Sequence, residues 1–189
     1  MRAFLVFVLL SLVSISPARS TTLLRFDLET LTANAVQIFV GTCVASATEI
    51  VDGQVYTHTR FAVSQAIKGD LSDQVSVYLP GGEHEEVQVQ IVGMPTFVDN
   101  EEVVLFLTPP NQRGHAWPVG LAQGKFHLER DGARKAHVSQ DIDGISFYTP
   151  FGAAKQSAVQ ENLQDVPLEK FLERIRSLID SDDGDRDAH

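Results

Sequence analysis

Residues 37–69, QIFVGTCVASATEIVDGQVYTHTRFAVSQAIKG, decide the fold. The first part, 37–51, is rich in Ile, Val and Thr, whose branched side chains suit extended backbone. Asp52-Gly53 follows at once and suits a type I′ turn, in which both central residues take positive φ. Beyond it, Val55, Thr57, Thr59, Phe61, Val63 and Ile67 alternate with Tyr56, His58, Arg60, Ala62, Ser64 and Lys68. That period of two predicts a long hairpin with one mostly apolar face.

Working towards the C-terminus, VSVYLP (75–80) reads as a third strand. GGEHEE (81–86) reads as a flexible acidic connection. VQVQIVG (87–93) reads as a fourth strand with Gln88 and Gln90 on a wet face. VVLFL (103–107) is continuously apolar and predicts a central strand buried on both sides. VGLAQGKFHLER (119–130) starts on glycines and ends as a strand, and Asp-Gly pairs at 131–132 and 143–144 set off KAHVSQD and ISFYTP.

Towards the N-terminus, Leu24, Leu28 and Leu31 fall at helical spacing, with Asp27 placed to cap a short helix. The chain changes character at 151. A polar connection leads to a helix over 166–179, with Pro167 in its first turn and an apolar stripe of Leu168, Phe171, Leu172, Ile175, Leu178 and Ile179. Residues 180–189, DSDDGDRDAH, read as a disordered acidic tail. The organisation predicted is a β-barrel domain over 21–150, then a connection and amphipathic helix over 151–179. Its class is mainly β: a small antiparallel Greek-key, OB-like barrel with a short N-terminal helix and a packed C-terminal helix. A β-sandwich is the alternative.

Residues 1–20 have the form of a secretory signal peptide. Arg2 precedes an apolar run from Ala3 to Ile15, too short to span a bilayer, and small residues stand at the cleavage positions before Thr21. Cleavage after Ala18 is the alternative. No lipid-attachment cysteine follows the apolar run, so the mature chain is expected to be exported, periplasmic or extracellular, with no membrane anchor. The whole chain carries a net charge of −10; losing Arg2 and Arg19 with no acid makes it about −12. Nucleic acid and anionic lipid are excluded as partners on that ground. The single cysteine, Cys43, stands among apolar residues and reads as a small buried hydrophobe.

The string AVQIFVGTCVAS, YTHTRFAVSQAIKGD, VSVYLPGG, VQVQIVGMPTFVDNEEVVLFL and VGLAQGKFHL, over residues 35–128, resembles a group of exported bacterial proteins whose role is not established. The strand, hairpin and V..IKGD opening is also similar to the barrel of the tissue inhibitors of metalloproteinases and netrin-like modules. That resemblance implies an OB-type fold. It does not bring the inhibitors' mechanism, in which an N-terminal cysteine grips the protease zinc: this mature chain would start Thr21-Thr22, and the disulfides are missing.

GLAQGKF (120–126) is not a Walker loop. Three residues separate Gly120 from Gly124 where four are needed, and Phe126 stands in place of the magnesium-binding Ser or Thr. The glycines read as a bulge or close backbone approach, with Gln123 and Lys125 projecting together from one side. On that reading Gly124→Val destabilises the fold, while Gln123→Ala and Lys125→Ala leave stability within about 0.5 kcal/mol. Glu83 and His84 lie in a charged loop without metal-ligand spacing. No G-x-S-x-G or H-E-x-x-H occurs. The expected function is therefore a non-enzymatic exported protein-binding module without a cofactor. Gln123, Lys125, Glu83 and His84 are its candidate contact residues, and an extracytoplasmic protein, such as a protease, is the partner. A structural or surface-associated module is the alternative, and an uncharacterised enzyme the third reading.

Overall fold

The computed structural model describes residues 22–133, 135–140, 142, 145–148 and 163–186; the expected signal peptide and the 151–162 part of the connection lie outside them. A short strand, β1 (Thr22–Leu24), leads into helix α1 (Leu28–Asn34). The Asp27 carboxylate accepts the Thr30 amide at 2.8 Å, the cap expected from its position. Then come β2 (Gln37–Val51) and β3 (Gln54–Lys68), paired antiparallel through Asp52 and Gly53 at φ 52° and 76°. The hairpin is the one the sequence predicts.

Strands β4 (Gln74–Pro80), β7 (Glu102–Leu107), β8 (Lys125–Arg130), β9 (Ala136–Gln140) and β11 (Val166–Pro167) complete a seven-stranded antiparallel sheet. Its order is β11-β9-β8-β7-β2-β3-β4. Two small pairs stand outside it: β5 (Gly82–His84) with β6 (Val87–Val89), and β1 with β10 (Ser146–Tyr148). Helix α2 (Leu168–Arg186) ends the described chain.

The strand β7 explains the continuous apolar run. Val104 and Phe106 pack on the helix side of the sheet, with Ile38, Phe126, Val138, Leu31, Phe171 and Ile175. Val103, Leu105 and Leu107 pack on the other side, with Phe39, Cys43, Phe61, Val77 and Leu79. A strand buried on both faces has no polar alternate positions. Phe171 seats α2 on this sheet, its ring 4.7 Å from that of Phe126.

The sheet is open, which corrects the closed or nearly closed barrel that the sequence predicts. Its edges are β4 and β11, which do not pair, and β4 does not pair with β8, which lies between β7 and β9. Side chains from two loops fill the space instead. The ring of Phe97 lies 4.9 Å from Phe61 of β3, and Lys125 Nζ of β8 lies 4.7 Å from the Phe97 centroid. From the loop after β7, Trp117 joins the same cluster, the His115 ring lies tilted 4.6 Å from that of Tyr78, and Arg113 donates to the Tyr56 hydroxyl at 3.1 Å. Register shifts at Ile38/Phe39, Val40/Gly41 and Cys43/Ala45 mark bulges that let the 15-residue strands bend.

Three more expectations change. The segment 87–93 is not a sheet strand: only Val87–Val89 is extended, paired with β5, and all three residues are exposed. The charged stretch GGEHEE, read as a connection, supplies β5 and the turn. The helix also runs past Ile179, so residues 180–186 of the expected disordered tail are helical; 187–189 lie outside the described residues. Among the described residues no helix is long and apolar enough to cross a membrane.

Candidate functional site

The segment from Gly81 to Val98 is where this chain departs most from its own core. Its first part, the β5-β6 hairpin, lies against the β2-β3 hairpin and is stapled there. Thr57 Oγ1 donates to Gly81 O at 2.7 Å, Thr48 Oγ1 donates to Glu83 O at 2.5 Å, and His84 Nδ1 lies 3.1 Å from Thr48 O. Gly82 permits this approach: at φ 126°, a Cβ there would collide with Thr57 Oγ1 and Thr48 Cγ2.

Its second part, residues 90–98, is pinned from below by β8. Lys125 Nζ donates to Thr96 O at 2.5 Å and lies 2.7 Å from Glu101 Oε1. Glu101 also meets His127 Nδ1, and its other oxygen accepts the Val98 amide at 3.0 Å. Burial pushes the Glu101 carboxyl upward. The hydrogen bonds from His127, Lys125 and the Val98 amide, with the Lys125 charge, outweigh it and hold the group down at about 2.

The segment exposes five apolar side chains alongside the exposed Gln88, Gln90 and Thr96. Val87 is 48% exposed, Val92 51% and Val98 69%, with Val89 and Ile91 also open to solvent. Two cavities flank it. One, of about 330 Å³, lies between the β5-β6 hairpin and residues 91–97, floored by Thr57, Thr59 and Leu79. The other, of about 530 Å³, lies between residues 90–96 and the Lys125 and His127 side chains.

Three of the four predicted contact residues lie around this segment. Glu83 is exposed at the rim of the smaller cavity, and His84 is half-buried beside it. Lys125 lines the larger cavity but is buried by its partners. Gln123 faces elsewhere. It is 2% exposed, accepts the Phe26 amide at 2.8 Å and donates to Leu24 O at 3.0 Å. The expectation that Gln123 and Lys125 project together from one side is corrected. Residues Leu121–Gly124 form a 3₁₀ turn, and extended alternation starts only at Lys125. Within that turn Gly124 sits so close to the Val119 backbone that a Cβ would come within 2.7 Å of the Val119 nitrogen.

No family model, curated protein or solved structure matches this chain.

Sequence reasoning passed over Glu101, Thr96 and Phe97. Strand alternation alone places Lys125 and His127 on one face. Nothing in the sequence links that face to an acid 24 positions earlier. Among the described residues no three His, Cys, Asp or Glu side chains are grouped to hold a metal ion. Cys43 is fully buried, and its thiol is pushed up by that burial and by the nearby Asp99 and Glu101 charges, which is the opposite of nucleophile activation.

Proposed function

We propose that this chain is an exported, non-enzymatic protein-binding module, and that residues 87–98 make the contact. One observation carries the reading: Val87, Val89, Ile91, Val92 and Val98 are all exposed within a dozen residues, on a segment whose backbone is held at Thr96 and Val98 by the buried Lys125 and Glu101. Scattered surface hydrophobes are ordinary, but a concentration of them on a braced support is what an interaction surface needs. An extracytoplasmic protease is the partner class the reading favours, engaged without an N-terminal cysteine. The strand order supports a Greek-key relationship: β7-β2-β3-β4 sets the fourth of these strands in chain order beside the first.

Affinity capture from the exported fraction of the source cell tests this. The unmodified protein retains a partner, which is then assayed as a protease with and without the module. The double variant Val92→Asp/Val98→Asp, which replaces two exposed side chains, loses it while keeping its circular dichroism and melting temperature. Equal capture by both proteins would place the contact elsewhere.

A further inference from the structure

We propose that the cavity under the β5-β6 hairpin receives an arginine or lysine side chain of the protein partner, and that Glu83 fixes its cationic end. The proposal rests on the protein-binding reading above and specifies the partner's chemistry.

The cavity holds about 330 Å³, and its walls include Leu79, Pro80, Ile91, Met94 and Phe97. Gln88, Gln90 and Thr96 also line it, and its floor is two threonines. Thr57 Oγ1 is engaged with Gly81 O and Thr59 Oγ1 with Ser46 Oγ, so both threonines have their hydroxyls already paired. Of the lining residues, Glu83 alone is ionisable, and it is exposed. Among the described residues no cation pairs with Glu83, or with Glu85 and Glu86 in the adjoining turn.

A slot walled by Leu79, Pro80, Ile91, Met94 and Phe97, with one carboxylate among its lining residues, matches a side chain that is aliphatic along its stem and cationic at its tip. Arginine adds a planar fork that can take both carboxylate oxygens, and lysine a point charge. An acidic side chain is repelled. A neutral apolar one fills the walls but gives Glu83 no partner. The chain's net charge of −10 acts in the same direction at longer range, drawing basic surfaces toward it. A partner with a basic residue flanked by apolar ones would meet both the slot and the exposed valines.

The test uses capped tripeptides, acetyl-Val-X-Val-amide with X as Arg, Lys, Met or Glu. Each is titrated into the methyl-labelled protein and followed by NMR at Thr57, Thr59, Leu79 and Met94. The Arg and Lys peptides shift these methyls and bind up to about fivefold tighter than the Met peptide, the size of a solvent-exposed ion pair. The Glu peptide binds weakest. Glu83→Gln removes the preference for Arg over Met, and Glu83→Lys turns it toward the Glu peptide. Both substitutions sit on an exposed side chain and leave the Thr48 contact to the Glu83 carbonyl in place. Equal binding of the Arg and Met peptides, or a preference that survives Glu83→Gln, overturns the cationic occupant. Unmoved cavity methyls with every peptide overturn the cavity as a docking site. Either result leaves the capture experiment standing, because that experiment reads Val92 and Val98 and not Glu83.

Discussion

Lys125 holds its ammonium 2.7 Å from Glu101 Oε1, and this pair ties β8 to the segment that bears the exposed valines. Both side chains are nearly covered, at 8% and 12% exposure. Such a pair has a large cost of breaking, because the surviving Glu101 charge stays buried with only His127 and the Val98 amide beside it. Lys125→Ala is therefore expected to destabilise the fold by about 3–5 kcal/mol in chemical denaturation. That replaces the near-neutral effect the sequence suggests. A Lys125→Met/Glu101→Gln double variant, which leaves no buried charge, should recover part of the loss.

The same cluster sets a pH dependence. The Glu101 carboxyl is held at about 2, against an ordinary 4.5. A group depressed in the folded state contributes stability that is present above its unfolded value and lost as pH falls through the folded one. The contribution, on the order of 3 kcal/mol, is thus full above pH 5 and fades between about pH 4.5 and 2. Urea midpoints measured from pH 6 to pH 2 should fall steeply in the unmodified protein. In Glu101→Gln the curve should start lower and lose that part of its slope.

Phe171 is 2% exposed and packs on Phe126 and Phe106, so Phe171→Ala should cost roughly 3–5 kcal/mol. Thermal unfolding followed by far-ultraviolet circular dichroism checks it. A neutral result would mean that α2 adds nothing to the core on the helix side of the sheet.

Gln123 acts as a clamp. Its side chain holds the Phe26 amide and the Leu24 carbonyl, and its carbonyl accepts from Gln140 Nε2 at 2.6 Å. Gln123→Ala removes both side-chain hydrogen bonds, to the half-buried Phe26 and the exposed Leu24, and should cost about 1 kcal/mol. Hydrogen exchange should quicken first at Phe26, next to β1.

The parts legible in the sequence were those set by local pattern. Asp52-Gly53 with a period of two gave the hairpin, and the unbroken run at 103–107 gave a strand covered on both faces. The open seam was not legible. It depends on Phe97 reaching Phe61 and on Lys125 reaching Thr96, contacts between residues 29 or more positions apart. Val87 and Val89 misled because alternation is the same in a two-stranded ribbon as in a sheet; only the cover differs. Within the site, Glu83 was legible as a charged loop residue. Lys125 was singled out for its neighbours in the chain, yet its burial depends on Glu101 and residues 94–97, which no local pattern reveals.

The central claim is that residues 87–98 touch another protein, and site-specific photo-crosslinking in the source cell measures that contact directly. A photoreactive residue at Val92 should yield a discrete adduct with a second protein, and the same residue at the exposed Glu173 on α2 should yield none. An adduct from position 173 with nothing from position 92 would contradict the account.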